Sequence, residues 1–277
     1  MSMPFYMSPE QLMREKSELA RKGVARSRSS VVLQYAGGIL MVTPNPSNVL
    51  HKISEIYDRI GFAAVGRYNE YEVLRKAGVT YADVTGYQFD RGDVTALGLA
   101  NYYAQALGAN ASEPTGKPYE VEIVVAEVGA TPDDDQIFRI FWDGIVSDEH
   151  GFVAFGGQSD QVGTVLKEHF ADGMSLTEAL SAALAALTPQ SSSSAANGNQ
   201  TELTVTNFEV AILDRARAHR TFRRLQGPRL AELIAQARAT PSGETSTESG
   251  EPSGGAGEPP AGEPPTGPSS AGDGTPR

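Results

Sequence analysis

Residues 26–42 read RSRSSVVLQYAGGILMV. Two apolar runs, 31–36 and 39–42, flank Gly37-Gly38, which is the signature of a tight β-hairpin. Ser29 and Ser30 stand at its head. A hydroxyl in that place becomes a nucleophile when it is the first residue of its chain, because its own free amine then serves as the base. Here 28 residues precede Ser29.

Those preceding residues carry a helix signal. Ser8 is a candidate N-cap, Pro9 suits the first helical position, and Gln11 completes a capping box. Leu12, Met13, Leu19 and Ala20 fall near one stripe, and Gly23 reads as the C-cap of a helix over 8–22.

Beyond the hairpin, Pro44 and Pro46 end the second strand. KISEIYDRIGFAAVG (52–66) predicts two more strands, and NEYEVLRKAG a helix closing at Gly78. DVTALGLANYYAQALG predicts a helix opened by Asp93. YEVEIVVAEV (119–128), QIFRIFWDG (136–144) and FVAFGG (152–157) predict three strands. The first of these sets Val121, Ile123 and Val125 on one face. QVGTVLKEHF predicts a helix, and Ser175 with Glu178 forms a capping box for the next. SSSSAANGNQ (191–200) reads as a loop. LTVTNFEVAIL (203–213), with a parity shift between Val205 and Phe208 that suggests a bulge, and RTFRRL (220–225) predict two strands; a helix opened by Pro228 follows. Strands and helices come in blocks, which argues for antiparallel sheets covered by paired helices: an α+β, four-layer αββα sandwich.

Residues 240–277 contain only Pro, Gly, Ser, Thr, Ala, acids and one Arg. Such a segment buries too little apolar surface to offset its ordering entropy, so a disordered acidic tail is expected. The net charge is −11, and both tail and body are acidic. That gives no general footprint for nucleic acid; the basic stretches near 25 and 220 read as solvated faces or interface rims. Cysteine is absent, which excludes disulfides and thiolate chemistry. No secretory signal and no membrane-length apolar run stand out, so a cytoplasmic protein is expected.

Few chemical motifs are present. His51, His150, His169 and His219 lack partners at metal-ligand spacing, and Asp133–Asp135 reads as solvated loop charge. The glycines form neither a dinucleotide fingerprint nor a phosphate loop. No G-x-S-x-G elbow occurs. No cofactor or metal is expected.

SPEQLMREKSELARKG, YAGGILMV, the 52–66 run, GYQFDRGDVT, ANYYAQALG and KPYEVEIVVAEV, in this order, resemble the actinobacterial 20S proteasome α-type subunits over residues 1–239. The resemblance implies the N-terminal-nucleophile hydrolase fold without its catalysis. It implies a homo-heptameric α ring stacked on catalytic β subunits, a ring-shaped ATPase as activator, and unfolded protein in transit, marked by a prokaryotic ubiquitin-like protein that the ATPase reads. In β-type relatives the catalytic set is an N-terminal Thr, an Asp and a Lys. Laid through the Tyr-x-Gly-Gly turn, the Thr falls at Arg28, the Asp at Pro44 and the Lys at Lys52. Only the lysine is matched.

The resemblance gives Lys52 a different role: a pocket between adjacent α subunits in which a lysine pairs with the terminal carboxylate of an ATPase tail. It also makes residues 1–7, with Ser2, Met3, Pro4, Phe5, Tyr6 and Met7, the gate over the ring axis. The Tyr-Asp-Arg motif that many relatives carry ahead of the first helix is missing there, and Tyr57-Asp58-Arg59 has those letters in another place. Two other readings compete: a Ser-nucleophile hydrolase released by cleavage before Ser29 or Ser30, and a stand-alone binding module without β partners.

Overall fold

The computed structural model describes residues 8–188 and 208–239. β1 (Ser30–Tyr35) and β2 (Gly38–Pro44) pair antiparallel with Tyr35 opposite Gly38. The turn is therefore Ala36-Gly37, one residue earlier than Gly37-Gly38. Gly38 is the first residue of β2, at φ +144°. A Cβ there would run into the Leu213 carbonyl of the neighbouring strand β9 (Phe208–Asp214), so only glycine lets β2 pair at this point.

Two five-stranded sheets build the sandwich. The first orders β10-β9-β2-β1-β8 and the second β3-β4-β5-β6-β7. Every pairing in them is antiparallel. The remaining strands are β3 (Ile53–Tyr57), β4 (Ile60–Gly66), β5 (Val121–Glu127), β6 (Gln136–Ile140), β7 (Val146–Asp148), β8 (Phe152–Phe155), β9 (Phe208–Asp214) and β10 (Phe222–Leu225). The middle block thus holds four strands instead of three. β7 was illegible because Val146-Ser147-Asp148 is short, with no buried side chain to set a period.

Three apolar clusters correspond to the three gaps of the αββα stack. Val31, Leu33, Leu40 and Val42 face the helices α4 (Ser159–His169), α5 (Leu176–Leu187) and α6 (Gly227–Ala239). Val32, Ile39 and Met41 face Val124, Ala126 and Ile137 of the opposite sheet. Val121, Ile123 and Val125 face α2 (Tyr68–Gln88) and α3 (Ala96–Ser112). Strand alternation sends successive side chains into different clusters.

Three helix boundaries differ from the sequence reading. α1 spans Pro9–Ala25, with the Ser8–Gln11 capping box present, but it runs through Gly23 and ends at Arg26. Gly23 is buried against the Glu120 side chain, so it is a close-packing glycine and not a cap. The buried face of α1 is Lys16, Ala20 and Gly23, while Met13 and Leu19 are exposed. The Lys16 ammonium donates to the carbonyls of Ala111 (3.1 Å) and Glu113 at the C-terminal end of α3. A cation there satisfies carbonyls that the helix leaves unpaired.

α2 runs through Gly78 for ten more residues, to Gln88. α3 is capped by Thr95, whose hydroxyl accepts from Gly98 N, and Asp93 instead closes a 3-10 turn over Arg91–Asp93. The Ser175–Glu178 capping box of α5 forms as read. The loop 191–200 and the Val205 side of the predicted bulge lie outside the described residues.

Gly78 sits where α2 crosses α3, and a methyl group there would overlap the Tyr103 hydroxyl. That hydroxyl is buried with no hydrogen-bond partner among the described residues. Gly78→Ala is therefore expected to destabilise the chain by about 1–3 kcal/mol through overpacking, despite its better helix propensity. Tyr103→Phe in the same background is expected to recover part of the loss, as read by the urea midpoint at constant slope.

Candidate functional site

The head of the hairpin is closed. Ser29 is buried, and its Oγ accepts a hydrogen bond from the Gln158 backbone at 2.9 Å. Ser30 Oγ donates to Thr43 Oγ1 at 2.7 Å, and both are buried. These partners are a backbone N–H and a hydroxyl, and neither is a base.

The Arg28–Ser29 peptide bond lies beneath the Gly156-Gly157 turn after β8. A Cβ on Gly156 would stand 3.0 Å from Ser29 Cα and 3.2 Å from the Arg28 carbonyl oxygen. The turn is held in turn by Glu122, whose carboxylate accepts Gly156 N at 3.1 Å and pairs with Arg139. Burial pushes the Glu122 carboxyl up, with Arg139 opposing. α1 packs across β4 and β5 beside this end of the sandwich.

Pro44 and Lys52 are in contact, and the Arg28 charge acts on Lys52. Lys52 Nζ donates to the Pro44 carbonyl at 3.4 Å. Its ammonium is lowered by burial first and by the Arg28 charge, while Glu209 raises it. A guanidinium has no nucleophilic hydroxyl and proline has no carboxylate, so the three positions carry one cation pair and no acyl-transfer chemistry.

Glu209 organises the surroundings of Lys52. It lies on β9, 8 % exposed. Its Oε2 accepts the Lys52 backbone N–H (3.0 Å) and Asn45 Nδ2 (2.7 Å). Its Oε1 accepts Ile53 N (3.2 Å) and pairs with Arg224. Arg224 also reaches the Ile53 carbonyl at 2.6 Å. His51 Nδ1 lies 3.3 Å from Oε1 without the alignment of a hydrogen bond. Asn45 ties the loop further, donating to the Leu50 carbonyl at 2.7 Å. Val49 and Leu50 stay exposed at the loop tip, and a cleft of about 330 Å³ opens beside His51 between Tyr68 and Arg75.

Sequence reading picked out Lys52 and missed Glu209. The available signal was an acid inside an otherwise apolar strand, FEVAIL, since a charged residue in a strand buried on both faces needs a partner. Glu122 inside VEIVVAE carries the same signal. The acidic run 133–135 is only partly solvated: Asp135 has a fully buried side chain in a bidentate pair with Arg215 (2.8 Å for both contacts). The basic stretch near 220 resolves into separate pairs, Arg220–Glu55, Arg223–Asp214 and Arg224–Glu209. Tyr57-Asp58-Arg59 forms the β3–β4 turn, with Arg59 bonded to the Val128 and Gly129 carbonyls (2.7 and 2.6 Å). Among the described residues no group of acids and histidines is arranged to hold a metal. Among the same residues no helix is long and apolar enough to cross a membrane. Residues 2–7 and 240–277, the expected gate and tail, lie outside the described residues.

Comparison with known proteins agrees with the residue-level reading. The family model described as Proteasome subunit matches residues 25–206. A "Proteasome subunit alpha" of Thermomonospora curvata is 60 % identical over 236 residues, covering 85 % of this chain and 99 % of the relative. Its counterpart in Frankia alni is 60 % identical over 237 residues, covering 85 % and 98 %. That of Streptomyces scabiei is 56 % identical over 249 residues, covering 90 % and 98 %.

With the peptide bond before Ser29 buried under Gly156, the chain is expected to keep the segment ahead of the hairpin. Intact-mass spectrometry of the assembled protein checks this. A product beginning at Ser29 or Ser30 would restore the hydrolase reading.

Proposed function

The chain belongs to the α-type subunits of the proteasome, and from that premise we propose that it forms the heptameric outer ring of the core particle. In this reading it is non-catalytic and stacks on a ring of β subunits that carry the peptidase. It admits unfolded polypeptide through an axial pore closed by residues 2–7, and it receives the C-terminal tails of a ring-shaped ATPase. The ATPase, and not this chain, reads the protein mark on substrates. The particle is cytoplasmic.

The observation that carries the docking role is the state of Lys52. Its ammonium is held at the rim of the sandwich by a structured loop, and the acceptor described for it is a single carbonyl at 3.4 Å. Such a cation has donors to spare for a carboxylate, in a setting dry enough for a charge-assisted bond to contribute about 1.5–3 kcal/mol. Arg28, Pro44 and the buried serines support the non-catalytic reading.

Ring formation draws support from α1. Leu12 and Leu19 line a groove of about 520 Å³ against residues 114–118, and Met13 and Leu19 are exposed. A helix anchored by Lys16 and Ala20 that turns its larger apolar residues outward suits burial against a neighbouring subunit.

Co-expression with a β subunit followed by electron microscopy tests the assembly. Stacked sevenfold rings are expected, and a chain that elutes alone as a monomer would leave only the binding-module reading. Deleting residues 2–7 is expected to raise peptide turnover by the assembled particle, and unchanged turnover removes the gate role. Lys52→Ala is expected to weaken ATPase-tail binding by roughly 10- to 150-fold, the range set by one charge-assisted bond, with rings still assembled. Undiminished ATPase stimulation in that variant would remove Lys52 from the docking site.

A further inference from the structure

Lys52 does not hold its own position. It is the last residue of the loop 45–52, which joins two strands in different sheets, β2 in the first and β3 in the second. The loop is braced internally through Asn45 and Ser47, and its entry into β3 is tied to one carboxylate of the opposite sheet, that of Glu209.

We propose that Glu209 is the positioning residue of the docking site: it orders the loop that carries Lys52 and leaves the Lys52 ammonium free for an incoming carboxylate. The proposal rests on the docking role given above and adds a second residue to it.

Three features carry the inference. First, Glu209 takes two successive backbone N–H groups, those of Lys52 and Ile53, at 3.0 and 3.2 Å. That fixes the direction in which the chain enters β3 and therefore where the Lys52 side chain starts. Second, Glu209 takes Asn45 Nδ2 at 2.7 Å, while Asn45 holds the Leu50 carbonyl at 2.7 Å. Both ends of the loop are thus tied to one group.

Third, the carboxylate is saturated. Two oxygens offer about four lone-pair sites, and the two backbone amides, Asn45 and Arg224 occupy them. The Lys52 ammonium therefore feels the negative charge of Glu209 without being captured by it. A free carboxylate next to a lysine normally forms a closed pair, which a ligand must break. Here the arrangement separates the field from the hydrogen bond.

The charges around Lys52 set the sign of a pH effect. Burial lowers its ammonium below the ordinary lysine range, Glu209 on β9 opposes that, and Arg28 ahead of β1 adds to it. Among the described residues, Arg224 on β10, His51 in the loop and Tyr71 on α2 are the other titratable and charged groups facing Glu209. Removing the Glu209 charge takes away the one effect that raises Lys52 and leaves Arg224 uncompensated. Lys52 then loses its proton at a lower pH than in the wild type, and with it the attraction for a carboxylate.

The test uses the assembled α–β particle and two fluorescent octapeptides of Gly, Ala and Leu, identical except that one ends in a free carboxylate and the other in an amide. The readout is the ratio of acid to amide affinity between about pH 6 and about pH 9. A merely structural defect weakens both peptides together and leaves the ratio alone. In the wild type the acid is expected to bind more tightly, and in Lys52→Ala the ratio is expected to fall to about one. In Glu209→Gln the ratio is expected to fall at least about tenfold at the alkaline end and to recover in part toward pH 6. A Glu209→Gln particle that keeps the wild-type ratio at every pH overturns the role of Glu209 while leaving Lys52 in place. A wild-type ratio of one overturns the docking role itself, and this inference with it. If Glu209→Gln does not assemble, Asn45→Ala decides, since it cuts the loop's tether and opens one acceptor site of Glu209 to Lys52: a ratio lowered about threefold supports the proposal, and an unchanged ratio overturns it.

Discussion

The β1–β2 hairpin is buried on both faces, and its register governs what packs on it. Val31, Leu33, Leu40 and Val42 go to the helices, and Val32, Ile39 and Met41 to the other sheet. A slip of one residue would exchange these two sets, because strand side chains alternate with a period of two. The Ala36-Gly37 turn prevents the slip on one side. The entry of β9 against Gly38 prevents it on the other, since no Cβ fits beneath the Leu213 carbonyl. β9 in turn carries Glu209, so the register of the hairpin also decides where the loop holding Lys52 is tied.

The same scaffold seals the head of the hairpin, where the Ser29 and Ser30 hydroxyls are buried and hydrogen-bonded. Arg28 stands just ahead of them, and the chain before it is α1. Helix α1 then packs over β4 and β5 at Gly23 and Glu120, and the Gly156-Gly157 turn closes on the backbone from Ala25 to Ser29. This end of the sandwich is thus filled by the chain's own backbone. Burying it this closely needs glycine at three places, Gly23, Gly156 and Gly157, and needs paired glutamates beneath them: Glu120 with Arg67 and Lys117, and Glu122 with Arg139.

Much of the fold was legible because the signals were local. The capping boxes at Ser8 and Ser175 satisfy backbone donors within four residues, so no distant contact is needed to read them. The hairpin is legible for the same reason. The misreadings share one cause. Gly23 and Gly78 look like helix stops, since glycine is a poor helix former, yet each marks a point where another side chain, Glu120 or Tyr103, crosses the helix. Leu12, Met13 and Leu19 look like a core stripe, yet the buried face of α1 is Lys16, Ala20 and Gly23. An apolar residue in a subunit of a larger assembly need not face its own core.

By itself the sequence determined the α+β class, the block order of strands and helices and the family of the chain, because each of these is written in residue identity and in local, ordered segments. Tertiary structure alone decided that Lys52 reaches the Pro44 carbonyl, that Ser29 and Ser30 are sealed, and that Glu209, 157 residues beyond Lys52, sets the lysine's place. The physical reason is desolvation. A buried carboxylate is tolerated only where several donors converge on it, and that convergence exists only after two sheets and the loop between them have closed around Glu209.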